Sequence, residues 1–182
     1  DVAPSRGLGD VYKRQLLSGG TGSVSHTEEV PSFLPDRFEP GTPNIPGILG
    51  LHAALCDLEQ TDMGKLHQHE LELTQYFING LMQMDPSEST LRAIGKHNTI
   101  ERTSVVSVQT LQTDMARVAY EMDDTYGIMT RVGLHCAPSA HKTLGTYPEG
   151  TIRFSFGPEN THHEVDLALH ALAEITGSPY HL

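Results

Sequence analysis

Tryptophan is absent from this 182-residue chain, aromatic residues make up only 6% of it, and there are just two cysteines, Cys56 and Cys136. Two thiols far apart in sequence cannot supply the disulfide framework of a small secreted domain, so a reducing, cytoplasmic setting is expected. No run of about 18 apolar residues occurs, which excludes a membrane-spanning helix. Positive charge is scarce as well: 12 Lys and Arg stand against 23 Asp and Glu, a net charge of −11. That balance argues against nucleic-acid and anionic-membrane partners. No basic start leads into an apolar stretch, so no signal peptide is expected, and the missing Met at position 1 makes the chain read as a piece of something longer. Histidine, by contrast, is plentiful at 11 residues, and the 37% apolar content suffices for one core.

Residues 1–15 follow neither a helical nor a strand period, and Arg6 to Gln15 reads as a translated sequencing adaptor, a non-native tail to be set aside. With them removed, the other 167 residues carry −12. Residues 16–47 read as loop, with Gly19-Gly20-Thr21-Gly22-Ser23 and prolines at 31, 35, 40, 43 and 46. A helix is expected next, capped by Asn44 with Pro46 in its first turn and Ile48, Leu51, Leu55 and Leu58 along one face. Cys56 lies beside that stripe and is expected to pack as a small hydrophobe. A second helix over Met63–Met84 ends at Asp85-Pro86. Strands are predicted at Leu91–Gly95, Thr103–Gln109, Ile128–Val132 and Thr151–Phe156, and a helix at Thr113–Tyr126. The last helix opens on the capping box Thr161-His162-His163-Glu164 and stops at Gly177. The fold class that follows is α+β, a small, mostly antiparallel sheet with helices on one face.

Several residues could carry chemistry. Cys136 follows a strand in Arg131-Val-Gly-Leu-His-Cys-Ala-Pro, where nearby cations would favour a thiolate nucleophile; a buried structural thiol is the alternative. His135, Cys136 and His141, with His67, His69 or His162-His163, could be metal ligands, but no zinc-like spacing is present and no metal is expected. Arg153 alternates with Ile152 and Phe154, so it faces away from the apolar side. Its guanidinium fork suits a substrate carboxylate, or else a surface ion pair. The glycine run at 19–23 lacks the Gly-Lys-Ser/Thr of a phosphate loop. Thr42, ahead of a helix start, is better placed for a phosphate.

Taken together, Gly-Gly-Thr-Gly-Ser (19–23) and Leu34-Pro-Asp-Arg-Phe-Glu-Pro-Gly-Thr-Pro-Asn-Ile-Pro-Gly (34–47) resemble the class V aminotransferase-fold enzymes that use pyridoxal phosphate. Arg131-Val-Gly-Leu-His-Cys-Ala-Pro, Gly150-Thr-Ile-Arg-Phe-Ser-Phe-Gly and Asn160-Thr-His-His-Glu-Val-Asp resemble the C-terminal part of the cysteine desulfurase and selenocysteine lyase branch. The resemblance runs from about Leu17 to Ile175. It implies that Cys136 is the sulfur-accepting cysteine, that Arg153 holds the substrate carboxylate, and that Thr42 reaches the cofactor phosphate of a neighbouring subunit in a homodimer. Arg131 falls at a motif arginine to which it assigns no role. The implied activity is a pyridoxal 5'-phosphate-dependent desulfurase that converts L-cysteine to L-alanine, passing sulfur through a Cys136 persulfide to an acceptor protein. Selenocysteine lyase, an aminotransferase and a non-catalytic α+β binding module are the alternatives. The family's Schiff-base lysine lies upstream of the region covered, and Lys142 follows the cysteine motif, so it is not expected to bind cofactor. The chain is then expected to be a C-terminal fragment, inactive alone. Residues 16–50 would be a loop-rich remnant of the cofactor-binding large domain, and 51–182 the small C-terminal domain of a fold-type I enzyme.

Overall fold

The computed structural model describes residues 22–24, 26 and 30–179. The expected tail at 1–15 and the start of the glycine run lie outside the described residues. The chain divides into two compact units, 1–60 and 61–182; positions 50 and 51 lie within a helix.

In the first unit a 3-10 turn at Asp36–Phe38 precedes α1 (Ile45–Gln60). The Asn44 side chain accepts from the Gly47 N–H at 3.1 Å, as an N-cap should. No residue of α1 is buried within the described structure. Cys56 therefore does not pack in a core, contrary to the sequence expectation: it is half-buried, with its sulfur 3.8 Å from His52 Nδ1 one helical turn earlier. Its apolar neighbours Leu55 and Leu58 are themselves exposed, so among the described residues that face joins no core.

The second unit holds α2 (Met63–Met84), β1 (Leu91–Ala93), β2 (Val105–Thr110), α3 (Met115–Tyr126), β3 (Arg131–Gly133), α4 (Pro138–Leu144), β4 (Thr151–Ser155) and α5 (His162–Thr176). The four strands form one antiparallel sheet in the order β1-β2-β4-β3. This is the α+β layer expected. Alternation along β2 and β4 turns Val106, Val108, Ile152 and Phe154 inward, where α2 and α3 pack on the strands and α5 packs on both helices. Phe77, Leu73, Met122 and Leu169 complete the core from the helix side, all fully buried. Each such side chain contributes about 1.5–3 kcal/mol on burial. Helices α2 and α5 meet at Gly80, where an added Cβ would sit 2.8 Å from Leu169 Cδ2. The absence of a side chain lets the two backbones approach.

The caps follow the sequence closely. Asp62 and Asp114 accept from the first-turn N–H groups of α2 and α3. Thr161 and Glu164 form the reciprocal box of α5, and Gly177 ends that helix in the left-handed region. One strand is misplaced by the sequence reading. Pairing with β4 begins at Arg131, and Ile128–Thr130 lie outside the sheet. Gly127 closes α3 at φ 68, and the Ile128 N–H returns to the Met122 carbonyl at 2.8 Å. That C-cap holds Ile128 against the core and delays the strand. Helix α4, between β3 and β4, is not foreseen by the sequence reading.

Candidate active site on the open face of the sheet

Side chains that alternate away from the helices share the other face. Register places Arg92 opposite Gln109, Ser107 opposite Arg153, and Arg153 opposite Arg131. Arg153 thus stands away from the apolar side as its position in the strand predicts, half-buried between Ser107 and Arg131. The Arg92 guanidinium is engaged by the Gln109 side-chain carbonyl, and the Gln109 amide donates to the Gly150 carbonyl at 3.3 Å. Among the described residues neither Arg131 nor Arg153 has a carboxylate within ion-pair distance.

The chain leaves β3 at Gly133 and enters α4 through Leu134, His135, Cys136 and Ala137. His135 and Cys136 are both left-handed, at φ 49 and 58. For residues with a Cβ this costs about 1–2 kcal/mol each, so the surrounding contacts must hold the loop in place. Two contacts do so. His135 Nε2 lies 3.1 Å from the Thr151 carbonyl and 3.2 Å from its hydroxyl. Gly150, at φ 84, abuts the backbone of Gly133 so closely that a Cβ there would fall 2.8 Å from Gly133 Cα. Cys136 ends up exposed, which sets aside the buried structural thiol.

Burial pushes the His135 imidazole below its usual range, and the guanidinium of Arg153, then His141 and Arg131, push the same way against the Thr151 hydrogen bond. Arg153, Arg131 and His141 are therefore close enough to His135 to act on its charge. The His141 ring lies 5.7 Å from that of His135 and is buried, its Nδ1 joined to the Thr146 hydroxyl at 2.7 Å. Among the described residues no group of three or more His, Cys, Asp or Glu is arranged to hold a metal ion. His162 meets the ring of Tyr76 at 5.0 Å, edge on, in the first turn of α5, and His69 bonds the Asn160 carbonyl at 2.9 Å.

Thr42 belongs to the first unit, exposed, after Gly41 at φ 82 and ahead of α1. Its hydroxyl suits a phosphate. A Schiff-base site needs more, namely a lysine whose amine is desolvated or beside another cation. The described lysines do not meet that need. Lys65 is exposed and 3.7 Å from Asp62, Lys96 is 2.8 Å from Glu101, and Lys142 is exposed with its amine 5.1 Å from the Tyr147 ring centroid. Neither unit by itself forms a pyridoxal phosphate pocket from its described residues. A cavity of about 250 Å³ lined by Ile128, Thr130, Phe156 and Val165 lies at the other end of β3 and β4 from Cys136 and contains none of the candidate residues.

The sequence names Cys136, Arg153, Arg131 and His135; the structure sets Arg131 opposite Arg153 across β3 and β4 and puts His135 and Cys136 in the loop that leaves β3. What it could not supply was the cross-strand register that sets Arg131 against Arg153, or the role of Thr151 and Gly150 in holding the loop. The Gly150-Thr151 pair at the head of a strand was the available signal for the latter.

The aminotransferase class-V family profile matches residues 6–168, beginning inside the segment expected to be a foreign tail. The chain is 33% identical over 172 residues to the "Probable cysteine desulfurase" of Pyrococcus abyssi, covering 93% of this chain and 40% of that one. It is 34% identical over 170 residues to "Probable cysteine desulfurase 2" of Mycobacterium leprae, covering 88% and 39%. Among solved structures, the apo cysteine desulfurase of Thermococcus onnurineus NA1 superposes with a TM-score of 0.72 at 32% identity, covering 92% of this chain and 40% of that one. The chain spans about 40% of the length of the curated relatives it matches.

Proposed function

Because the chain belongs to the aminotransferase class-V family, whose members are pyridoxal phosphate enzymes, we propose that it is the sulfur-accepting part of a cysteine desulfurase. The observation that carries this is the exposed Cys136 on a strained loop that leaves β3, the strand on which Arg131 stands opposite Arg153. In the net reaction, L-cysteine and the Cys136 thiol give L-alanine and a Cys136 persulfide. The Cys136 thiolate attacks the substrate sulfur and a sulfur–sulfur bond forms. The carbon–sulfur bond breaks, its electron pair stays with carbon, and carbon takes up a proton. No external oxidant is consumed. Arg153 holds the substrate carboxylate, because a guanidinium fork without an acidic partner matches that group with two parallel hydrogen bonds.

Thr42 offers its hydroxyl to the cofactor phosphate across a homodimer, and residues 16–50 belong to the large domain that binds the cofactor. L-cysteine, or its selenium analogue, is the substrate, a separate protein accepts the sulfur, and the setting is cytoplasmic. Similarity to relatives carrying the cysteine desulfurase name supports this reading, and a thiol at 136 favours it over transamination, which has no use for one.

The test uses the protein extended to the length of its relatives, supplied with pyridoxal phosphate and L-cysteine. Mass spectrometry should find one added sulfur on Cys136 with alanine released, and both should vanish in Cys136→Ser. Alanine release that persists in that variant would remove Cys136 from the reaction.

A further inference from the structure

Three arginines share the open sheet face, and they are not equivalent. Arg92 donates from one terminal nitrogen to the Gln109 side-chain carbonyl. Arg131 and Arg153 are directly opposite each other on β3 and β4, which sets their Cβ atoms about 4.5–5.5 Å apart on the same side. Like charges so placed repel, and a sheet ordinarily avoids the arrangement or inserts an acid. Neither is done here: the nearest cross-strand neighbour on the far side of Arg153 is Ser107, a neutral hydroxyl, and no described carboxylate pairs with either guanidinium. Among the described residues both cations are thus left without a carboxylate partner. His135 is held toward its neutral form by burial and by those two cations, with His141 acting the same way.

We infer that Arg131 is a second substrate-binding residue, closing with Arg153 on a single carboxylate so that each guanidinium donates to the anion from one of two adjacent strands. This rests on the desulfurase reading for the identity of the substrate, and it gives Arg131 a task that the sequence motif leaves open. The repulsion between the two cations is relieved when the anion sits between them. Arg131 is the exposed member and Arg153 the half-buried one, so the carboxylate is gripped at the rim of the site.

The test needs no turnover and so stands apart from the persulfide experiment. The 182-residue chain, labelled with ¹⁵N-arginine, is titrated with L-alanine, with L-alaninamide and with inorganic phosphate while the Nε–H signals of Arg131 and Arg153 are followed. Both signals should move with one midpoint on L-alanine and stay still with the amide, which lacks the carboxylate. Arg131→Met should weaken the L-alanine midpoint about tenfold or more, the loss expected for a charge-assisted contact. Arg131→Lys should fall between that variant and the unaltered chain, because it keeps the charge but not the fork. An Arg131 signal that ignores L-alanine, an unchanged midpoint in Arg131→Met, or tighter binding of phosphate than of L-alanine would each overturn the assignment. Arg131 is exposed, so these variants keep the core, and their amide spectra report that directly.

Discussion

The imidazole Nε2 of His135 lies 3.1 Å from the carbonyl oxygen of Thr151, a residue 16 positions later at the head of β4. A carbonyl only accepts, so Nε2 carries the hydrogen and Nδ1 the lone pair. That Nδ1 is buried without a partner. The imidazole thus ties the left-handed pair His135–Cys136 to the sheet through a single nitrogen. His135→Ala should cost about 1 kcal/mol of unfolding free energy and slow sulfur loading onto Cys136. His135→Gln, whose amide N–H can reach the same carbonyl, should recover most of both. Urea unfolding and persulfide mass spectrometry measure the two effects, and equal behaviour of the Ala and Gln variants would refute the tie.

The same imidazole makes stability depend on pH. Its folded-state pKa lies below the ordinary 6.5, first through burial and then through Arg153. The unfolded chain therefore binds the proton more readily, and stability rises with pH across this window. The contribution is complete above about pH 6.5 and is lost as pH falls through the depressed folded value. Unfolding curves recorded between about pH 7.5 and pH 5 should steepen in their loss for the unaltered chain relative to His135→Gln. A parallel decline in both would show that His135 is not the group responsible.

Gly150 accepts from Gln109, donates to the Thr146 carbonyl at 2.7 Å and abuts Gly133. Gly150→Ala meets a left-handed penalty and a collision with backbone that has no rotamer to retreat into. A loss of about 2–4 kcal/mol is expected, together with displacement of the end of β3 from which the Cys136 loop starts. Alkylation kinetics of Cys136, with Cys56 as the internal reference, report the displacement. A variant as stable as the parent would mean that β3 yields freely at this point.

Asp85 governs a different region. Burial would raise its pKa, but the N–H groups of Leu91 and Thr90 and the hydroxyls of Ser87 and Ser89 outweigh that and bring it to about 2. Its stabilising effect is present above the ordinary 3.8 and disappears as pH falls toward that lower value. Asp85→Asn should lose on the order of 1–2 kcal/mol at neutral pH, allowing for solvent near the turn. It should also flatten the acid limb of the unfolding profile. An unchanged acid limb would place the titration elsewhere.

Local chemistry was legible in the sequence because it depends on near neighbours. The Thr161–Glu164 box, the Gly177 stop, the Met63–Met84 helix and the outward face of Arg153 each follow from spacing within one element. The motif around Cys136 marked the candidate nucleophile in the same way. Less was legible where neighbours in space decide. Ile128 reads as strand by composition, yet the Gly127 cap and the core keep it out of the sheet. Cys56 reads as core, yet its helix buries nothing among the described residues.

By itself, then, the sequence determined the periodicities, the caps and the reactive residue types, all set by torsional preference and side-chain pattern over a few positions. The tertiary structure alone decided that Arg131 would face Arg153, that Thr151 would hold His135, and that Gly150 would leave room for Gly133. Those pairings depend on strand register and on the approach of backbones distant in the chain. Such approaches are fixed only when the whole core closes.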